Sequence, residues 1–432
     1  MSTYATVVTL GDFGPWISKI VLDLPCEVRA SEVSPASFNV YCARFEPTGE
    51  PLMRKERGAD HAVHTAGYVP VLAAYPCDEK GAAAPAGSHV ALETPETRLT
   101  KRVEGGVLGS RYVESRIRVT QLAPVCGDGD PVCGLVFDEL REEYTPQLAG
   151  WTDAVQKTPV DGIALEYGYF EPSFEPRPQP FGEPVPAPEK APLIIYLHGA
   201  GEGKGDTTGE GPARAYTGNR VTALSQNPIQ GYFGGGAWVL VPQSPTFWMD
   251  NGKEQMGKSN ESIYAPVLKA LIDEFIAEHA ERVDTDRIVI GGLSNGGFMT
   301  LRMVRDYPGF FAAAAPCCAP WYNATAEDVE LLAKTPMWFT HSKGDELVAV
   351  RETVLPLYAA LKAAGANVHC TYFDHVEDLT GVYREADGRP KRTFNHGVWI
   401  HQFNDFCRTD LDGTNVVLDG EPVGLWEWCA RV

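Results

Sequence analysis

Apolar and polar residues alternate along the first part of the chain, in short stretches separated by Gly, Pro and Asp turns. Alternation with a period of two is typical of half-buried β-strands, and residues 111–120 show it most clearly. The pattern predicts no helix before residue 123, and therefore an all-β sandwich of immunoglobulin-like type over residues 1–123. The predicted strands are Ala5–Leu10, Ile17–Leu24, Ser37–Phe45, Tyr68–Tyr75, His89–Glu93 and Arg111–Gln121.

From residue 124 onward, apolar runs of strand length alternate with amphipathic helical patterns such as Glu261–His279. This alternation predicts an α/β domain over residues 124–432, a doubly wound and mostly parallel sheet with helices on both faces. A proline-dense run at 171–188 is expected to form an extended surface loop of this domain. The predicted strands are Ile163–Phe170, Leu193–His198, Trp238–Pro242, Arg287–Gly291, Ala312–Ala315, Met337–His341 and His369–Phe373, and the further predicted helices are Phe298–Arg305 and Arg351–Ala364.

One turn of the second domain carries the pattern of a serine nucleophile. The β-branched run Ile288–Ile290 leads into Gly292-Leu-Ser-Asn-Gly296, and a helical pattern follows immediately. This strand–turn–helix context distinguishes a G-x-S-x-G nucleophile elbow from a chance match. The flanking glycines leave room for the sharp turn that lifts a serine hydroxyl out of the sheet. Ser294 is therefore the predicted nucleophile.

A serine nucleophile also needs N–H donors that stabilise the oxyanion formed during acyl transfer. The strand at 193–197 leads into His198-Gly-Ala-Gly-Glu202, a turn that supplies one such backbone N–H in α/β hydrolases. The predicted donors are Ala200 in this turn and Asn295, which follows the nucleophile. His198 is expected to hold the turn through hydrogen bonds of its ring rather than to act as the base.

The acid and the base are predicted from the chain order Ser…Asp…His. Asp345 lies in a glycine turn just past the strand pattern 337–341, and Asp374 after the next strand is the alternative. The candidate bases are His369, His375, His396 and His401. His396 is preferred because it opens the last helical pattern, whereas His369 lies inside a strand and His401 inside the helix.

Aromatic residues on loops at strand ends are the candidates for a substrate pocket. Trp248 and Trp321 occupy such loops, and Gly201 and Glu202 lie beside the predicted oxyanion donor. The alternative interpretation is that the two tryptophans only pack their loops onto the domain.

Charge and cysteine spacing argue against several classes of function. The chain of 432 residues has a formal net charge of −20, whereas a nucleic-acid or anionic-membrane partner needs a basic patch. No apolar run reaches membrane-span length and no signal peptide is visible, so we expect a cytoplasmic protein. The ten cysteines lack zinc-site spacing, so we expect no metal, no cofactor and mostly free thiols. A disulfide between Cys126 and Cys133, which flank a turn-rich loop, is left open.

Four motifs in this order resemble those of a known enzyme family. They are His198-Gly-Ala-Gly-Glu202, Gly292-Leu-Ser-Asn-Gly-Gly297, His341-Ser-Lys-Gly-Asp345 and Asn395-His-Gly-Val-Trp399. Together they resemble bacterial α/β-hydrolase esterases related to polyhydroxybutyrate depolymerases, feruloyl esterases and prolyl-oligopeptidase-like hydrolases. With its N-terminal β domain, the chain is similar to carboxylesterases that carry an immunoglobulin-like domain ahead of the hydrolase domain. The segments 202–236 and 377–393 depart from the family pattern, so the resemblance does not extend to substrate preference.

The resemblance implies a serine carboxylesterase that hydrolyses small to medium esters through an acyl-enzyme intermediate, without a cofactor. The alternative enzyme is a serine peptidase of prolyl-oligopeptidase type, although the N-terminal region lacks the repeats of about forty residues that a propeller would show. An alternative of another class is a catalytically inactive hydrolase fold used for binding. The N-terminal domain is expected to hold no catalytic group and to serve packing, homo-oligomer assembly or the border of the pocket.

Overall fold

The computed structural model describes residues 2–55, 60–96, 98–105, 109–125, 131–176, 183, 186–204 and 211–432. The chain divides into two compact units, Met1–Ala149 and Gly150–Val432. Cys126 and residues 177–182, 184 and 185 of the proline-dense run lie outside the described residues. The Cys126–Cys133 disulfide and the extended loop therefore stay predictions.

The described part of the first unit is built from strands, with short 3-10 turns at Ala30–Glu32, Pro35–Ser37 and Pro146–Leu148. The strands are β1 (Ser2–Gly11), β2 (Gly14–Arg29), β3 (Phe38–Phe45), β4 (Met53–Arg54), β5 (Val63–His64), β6 (Ala66–Val69), β7 (Ala73–Cys77), β8 (Ala86–Glu93), β9 (Arg102–Gly105), β10 (Gly109–Tyr112), β11 (Glu114–Gln121) and β12 (Val136–Tyr144). Eight of them form one hydrogen-bonded sheet in the order β6-β3-β11-β12-β1-β2-β8-β7. The predicted all-β fold is confirmed.

One apolar core fills the first unit. Val40 of β3 and Val119 of β11 belong to the same buried cluster as Leu22 of β2 and Leu92 of β8. These strands come from both halves of the sheet, so the sheet folds over a shared core in the manner of a sandwich. Alternating residues of each strand point inward, and β3 accordingly alternates between buried and exposed positions.

The predicted boundary after residue 123 is wrong, because the first unit continues to Ala149. β12 pairs in parallel with β1, from Ser2↔Phe137 to Val7↔Tyr144. Gln147 then closes the unit, since its side-chain amide accepts from the N–H of Leu10 at 2.7 Å and donates to the Leu10 carbonyl at 2.9 Å.

The second unit is an α/β unit. Its strands are β13 (Trp151–Val155), β14 (Glu166–Phe170), β15 (Ala191–Leu197), β16 (Trp238–Gln243), β17 (Val283–Leu293), β18 (Ala313–Cys317), β19 (Met337–Ser342), β20 (Val368–Phe373), β21 (Val417–Leu418) and β22 (Glu421–Pro422). Its helices are α1 (Ala213–Thr217), α2 (Ile229–Tyr232), α3 (Ala265–Glu278), α4 (Asn295–Asp306), α5 (Ala326–Leu332), α6 (Val354–Ala363), α7 (Trp399–Phe403) and α8 (Leu425–Arg431). The main sheet has the order β13-β14-β16-β15-β17-β18-β19-β20. The pairs β13–β14 and β14–β16 are antiparallel, and all following pairs of the sheet are parallel.

Helices cover both faces of the parallel part of this sheet, as predicted. Strand β19 shows the two layers, because its successive side chains point to opposite faces. Met337 and Phe339 join the core cluster that contains residues of α3, α4 and α6. On the other face, the ring of Trp338 meets that of Trp428 in α8 at 5.7 Å, and Thr340 accepts a hydrogen bond from Gln402 in α7.

The carboxyl ends of the parallel strands lie at one edge of the sheet. Ligands of open α/β sheets bind at this edge. The predicted nucleophile follows β17, and the predicted oxyanion turn follows β15. Among the described residues, no helix is both long enough and apolar enough to cross a bilayer.

Candidate active site

Ser294 sits on the turn between β17 and α4, in a backbone conformation that is strained for a residue with a side chain. Its φ is 52° and its ψ is −115°, outside the regions that L-residues adopt at low energy. Its N–H donates to the carbonyl of Cys317 at 2.9 Å. The strand and the helix on either side thus fix the position of the hydroxyl.

The glycines around Ser294 are required by close backbone approach. A Cβ at Gly296 would lie 2.1 Å from the carbonyl oxygen of Leu197, and one at Gly292 would lie 2.5 Å from the carbonyl oxygen of Gly296. Real Cβ atoms do not come so close to backbone atoms. The absence of side chains lets the start of α4 pack directly against the end of β15, which brings the predicted oxyanion turn beside the nucleophile.

The structure brings Ser294, His396 and Asp345 together in one chain of hydrogen bonds. His396 Nε2 lies 2.8 Å from Ser294 Oγ. His396 Nδ1 lies 2.8 Å from Oδ2 and 3.0 Å from Oδ1 of Asp345. The hydroxyl, the imidazole and the carboxylate are therefore arranged so that a proton leaving the serine can move onto the imidazole.

Asp345 lies in a turn after β19, and its side chain is buried. Its Oδ1 accepts from the N–H groups of Leu347 at 2.9 Å and Val348 at 2.8 Å. Burial alone would raise the pKa of Asp345, but its contacts with His341 and His396 outweigh burial and hold that pKa well below its usual range. The group is therefore a carboxylate throughout the neutral range.

The loop that carries His396 is tied to the loop that carries Asp345. The N–H of Asn395 donates to Oε2 of Glu346 at 3.1 Å, and its side-chain amide donates to Oε1 at 3.2 Å. Asn395 also accepts from the N–H of Val376 at 3.0 Å. Sequence reasoning missed this bridge, although Asn395 stands directly before the predicted base.

Electrostatics at His396 favour its protonated form. Burial lowers the pKa of His396, but negative charge on Cys318 and Asp345 outweighs burial and raises that pKa to about 9. The same negative charges stabilise the imidazolium that forms when the ring accepts a proton.

Ala200 and Asn295 both begin a helical turn, the 3-10 turn Ala200–Glu202 and α4. The first N–H groups of a helix have no partner within it. Neither N–H therefore has a partner within its own turn, and the positive end of the α4 dipole lies at Asn295, next to Ser294.

His198 holds the turn that presents Ala200, as the sequence predicted. Its Nε2 accepts from the N–H of Ser244 at 3.0 Å, so the proton lies on Nδ1, which donates to the Gly199 carbonyl at 2.7 Å. Burial, reinforced by the charge of Arg214, lowers the pKa of His198 to about 4. A neutral ring with both nitrogens engaged is a structural clamp.

Arg214 is a further clamp on this turn, and sequence reasoning missed it. Its side chain is fully buried, and Nη2 and Nε donate to the carbonyl of Gly201 at 2.8 and 3.2 Å. No motif marks it, because it comes from α1, in the segment 202–236 that departs from the family pattern.

The prediction that Trp248 and Trp321 line a pocket is wrong. Their exposed fractions are 0% and 1%, because Trp248 packs against the His198 ring and Trp321 against Phe298. They therefore pack the loops down, which was the alternative interpretation. Gly201 is also buried, while Glu202 is half-buried.

Exposed apolar side chains flank the triad instead. Phe394 is 52% exposed, and its ring centroid lies 6.5 Å from that of His396. Leu347, two residues after Asp345, is 61% exposed. Unlike the two tryptophans, both side chains are exposed beside a member of the triad.

The rival acid and base candidates lie elsewhere. Asp374 is exposed and forms an ion pair with Lys343. His369 contacts Asp410 at 2.9 Å, and His375 interacts with Arg392 at 2.6 Å in the segment 377–393. The ring of His401 packs against Phe373 at 4.2 Å. Within the described residues, none of these groups is hydrogen-bonded to Ser294.

Two family models match the chain. Residues 3–133 match the esterase Ig-like N-terminal domain, and residues 185–380 match the phospholipase/carboxylesterase family. The chain is thus similar to an esterase Ig-like domain in its first part and to a carboxylesterase domain in its second. The match to the carboxylesterase domain includes Ser294 and Asp345 and ends before His396.

Comparison with individual proteins agrees with these assignments. Poly(3-hydroxyalkanoate) depolymerase C of Paucimonas lemoignei is 30% identical over 152 residues, which are 33% of this chain and 31% of that protein. The chain thus matches about a third of the length of this relative. The crystal structure of a thermostable esterase aligns with a TM-score of 0.71 at 22% identity, over 94% of this chain and 96% of that one. The predicted fold, an Ig-like domain followed by an α/β hydrolase, is confirmed.

Proposed function

We propose that the chain is a serine carboxylesterase that hydrolyses small to medium carboxylic esters through an acyl-enzyme intermediate. The hydrogen-bond chain from Asp345 through His396 to Ser294, with 2.8 Å at each step, carries the proposal. An imidazole between a carboxylate and a serine hydroxyl activates the hydroxyl as a nucleophile. The carboxylesterase family match supports an ester as the bond that is attacked.

In the proposed reaction, Ser294 Oγ attacks the ester carbonyl carbon while His396 Nε2 takes the hydroxyl proton. The N–H groups of Ala200 and Asn295 donate to the oxyanion of the tetrahedral intermediate. When the intermediate collapses, His396 returns the proton to the leaving alcohol. Water then attacks the acyl-serine ester with His396 again as the base, and the acid is released.

Phe394 and Leu347 support an ester with an apolar group. Both are more than half exposed and flank the triad, and apolar side chains around a few polar groups are typical of small-ligand sites. A charged substrate would find no compensating charge in these two side chains.

The first test replaces the nucleophile. We expect Ser294→Ala to keep the fold and to lower kcat for p-nitrophenyl butyrate by about 10⁴-fold or more, because the attacking oxygen is lost. His396→Ala is expected to lower it nearly as much. His375→Ala is the matched control, a half-buried histidine outside the triad that should leave kcat within about two-fold.

A fluorophosphonate label located by mass spectrometry checks the site independently of turnover. Labelling of a residue other than Ser294, or full turnover by Ser294→Ala, would refute the proposal. A panel of p-nitrophenyl esters of increasing acyl length, a feruloyl ester and a prolyl-peptide amide separates an esterase from a peptidase.

A further inference from the structure

A second histidine, which the proposed reaction does not use, contacts the acid of the triad. His341 lies near the end of β19, and its side chain is fully buried. Its Nε2 lies 3.0 Å from Oδ2 of Asp345, the oxygen that also faces His396 Nδ1 at 2.8 Å. The carboxylate is therefore flanked by two imidazoles.

The ring of His341 has little else to bind. Within the ranges that the structure describes, neither of its nitrogens has a hydrogen bond of good geometry. Buried polar groups are almost always hydrogen-bonded, so an isolated imidazole in the interior calls for an explanation. The short contact with Asp345 is the polar interaction that the ring does make.

This contact determines which nitrogen of His341 carries the proton. An unprotonated Nε2 would point its lone pair at a carboxylate oxygen 3.0 Å away, and the two would repel strongly in a buried site. With the proton on Nε2, the ring becomes a donor to Asp345. The contact is bent, although Nε2 and Oδ2 are only 3.0 Å apart.

The two oxygens of Asp345 are restrained by different groups. Oδ1 accepts from the N–H groups of Leu347 and Val348 at 2.9 and 2.8 Å, so the backbone already holds it. Oδ2 has no backbone donor among the described residues, and it is the nearer oxygen to His396. The orientation of the carboxylate toward the base therefore depends on what contacts Oδ2.

We propose that His341 is a positioning residue of the proposed esterase reaction, which donates its Nε2–H to Asp345 Oδ2 and holds the carboxylate against His396. The inference rests on the proposed function. A carboxylate that is fixed in advance stabilises the imidazolium of His396 in the transition state without having to reorient. His341 thus acts on catalysis through Asp345 and touches no substrate.

The test compares His341→Leu with His341→Gln in the full chain. Leu fills the space without a donor, whereas the amide nitrogen of Gln can occupy the place of Nε2. We expect His341→Leu to lower kcat for p-nitrophenyl butyrate by about 10- to 100-fold with KM changed less than about two-fold, and His341→Gln to restore most of the loss. His369→Leu is the matched control, because His369 is also a strand histidine in contact with an aspartate and should leave kcat unchanged.

A spectroscopic measurement keeps the inference testable without turnover. In ¹⁵N-resolved NMR of the wild-type chain, His341 should carry a proton on Nε2, and the resonance of the proton between His396 and Asp345 should move in His341→Leu and return in His341→Gln. An unprotonated Nε2 of His341 would overturn the inference, as would a kcat in His341→Leu within two-fold of wild type or a failure of Gln to restore activity. If the wild-type chain cleaves no ester, the proposed function fails while the NMR result still decides the hydrogen bond.

Discussion

Cys318 lies at the end of β18, one strand away from the triad, and it couples electrostatically to His396. Its N–H donates to the Thr340 carbonyl at 2.8 Å, and the preceding carbonyl accepts from Ser294. Burial would raise the pKa of Cys318, but the neighbouring Cys317 thiol and the charge of His396 outweigh burial and lower it. In their ionised forms, a thiolate at Cys318 and an imidazolium at His396 would therefore stabilise each other beside the nucleophile.

This coupling predicts the pH dependence of the reaction. His396 accepts a proton only when it is neutral, so kcat/KM falls as the pH drops through its pKa. Because that pKa is raised to about 9, the midpoint should lie above the ordinary value of about 6.5. Cys318→Ser keeps the shape and removes the negative charge, and we expect it to move the midpoint to lower pH.

The measurement is kcat/KM for p-nitrophenyl butyrate between pH 5 and pH 10. Cys77→Ser, at a buried cysteine of the first unit, is the control and should leave the midpoint in place. An identical midpoint in the wild type and in Cys318→Ser would show that this thiol carries no charge in the active enzyme.

At the residue scale, sequence alone was sufficient for the groups that a short pattern specifies. Ser294 follows from its glycine neighbours, and Asp345 and His396 follow from chain order; the structure brings all three together. Trp248 and Trp321 were misassigned because an aromatic residue on a loop has the same local pattern whether it faces solvent or the core. Arg214 has no local signal, since its partner Gly201 is fixed only by the tertiary fold.

At the scale of elements, one aspartate joins the C-terminal segment to the last strand of the parallel sheet. Asp410 accepts from Tyr358 of α6 at 2.7 Å, from His369 of β20 at 2.9 Å and from the N–H of Cys370 at 2.9 Å. Burial would raise the pKa of Asp410, but these bonds outweigh burial and hold that pKa well below its usual range. The segment between α7 and α8 is thereby attached to the sheet edge.

Removal of this attachment should destabilise the carboxylesterase domain. We expect Asp410→Ala to lower the free energy of unfolding by roughly 2–3 kcal/mol, because these three donors, together with the N–H of Leu411 and the ammonium of Lys362, lose a charged acceptor. Calorimetry or urea denaturation measures the change. The control is Asp412→Ala, an exposed aspartate that only caps its own turn at Thr414.

The stabilisation that Asp410 provides should decrease at low pH. The folded-state pKa of Asp410 is lower than the unfolded value of about 4. Its stabilisation is therefore fully present above about pH 4 and is lost as the pH falls below that value. The stability difference between the wild type and Asp410→Ala should shrink on acidification, and a difference that grows at low pH would contradict this assignment.

The elements that sequence missed are those whose partners are distant. β12 reads VFDELREEY, and most of its side chains are exposed, so it lacks the alternation that identified the other strands. Its place in the sheet comes from pairing with β1, more than a hundred residues earlier. By contrast α3, α4 and α6 were predicted because apolar residues recur along each of them with the helical period.

At the scale of the whole molecule, the position of the unit boundary determines which truncations will fold. A chain that begins at Gly150 contains every member of the triad and the complete eight-stranded sheet. A chain that begins at Pro124 also carries β12 without β1, and so exposes an unpaired strand edge.

We expect the chain that begins at Gly150 to remain monodisperse and to retain ester turnover, and the chain that begins at Pro124 to aggregate. Size-exclusion chromatography with light scattering, followed by turnover of the ester panel, measures both. Aggregation of both chains to the same extent would show that the carboxylesterase domain depends on the Ig-like domain for more than the pairing of β12.

The strained backbone of Ser294 sets thermal stability against catalytic activity at this position. Its φ of 52° and ψ of −115° suit glycine, and a residue with a side chain pays roughly 1–3 kcal/mol to adopt such a conformation. Ser294→Gly should therefore be more heat-resistant than the wild type and have no nucleophile. A laboratory evolution experiment that rewards survival at high temperature alone would drift toward this inactive variant, and only a simultaneous screen for turnover would keep the serine.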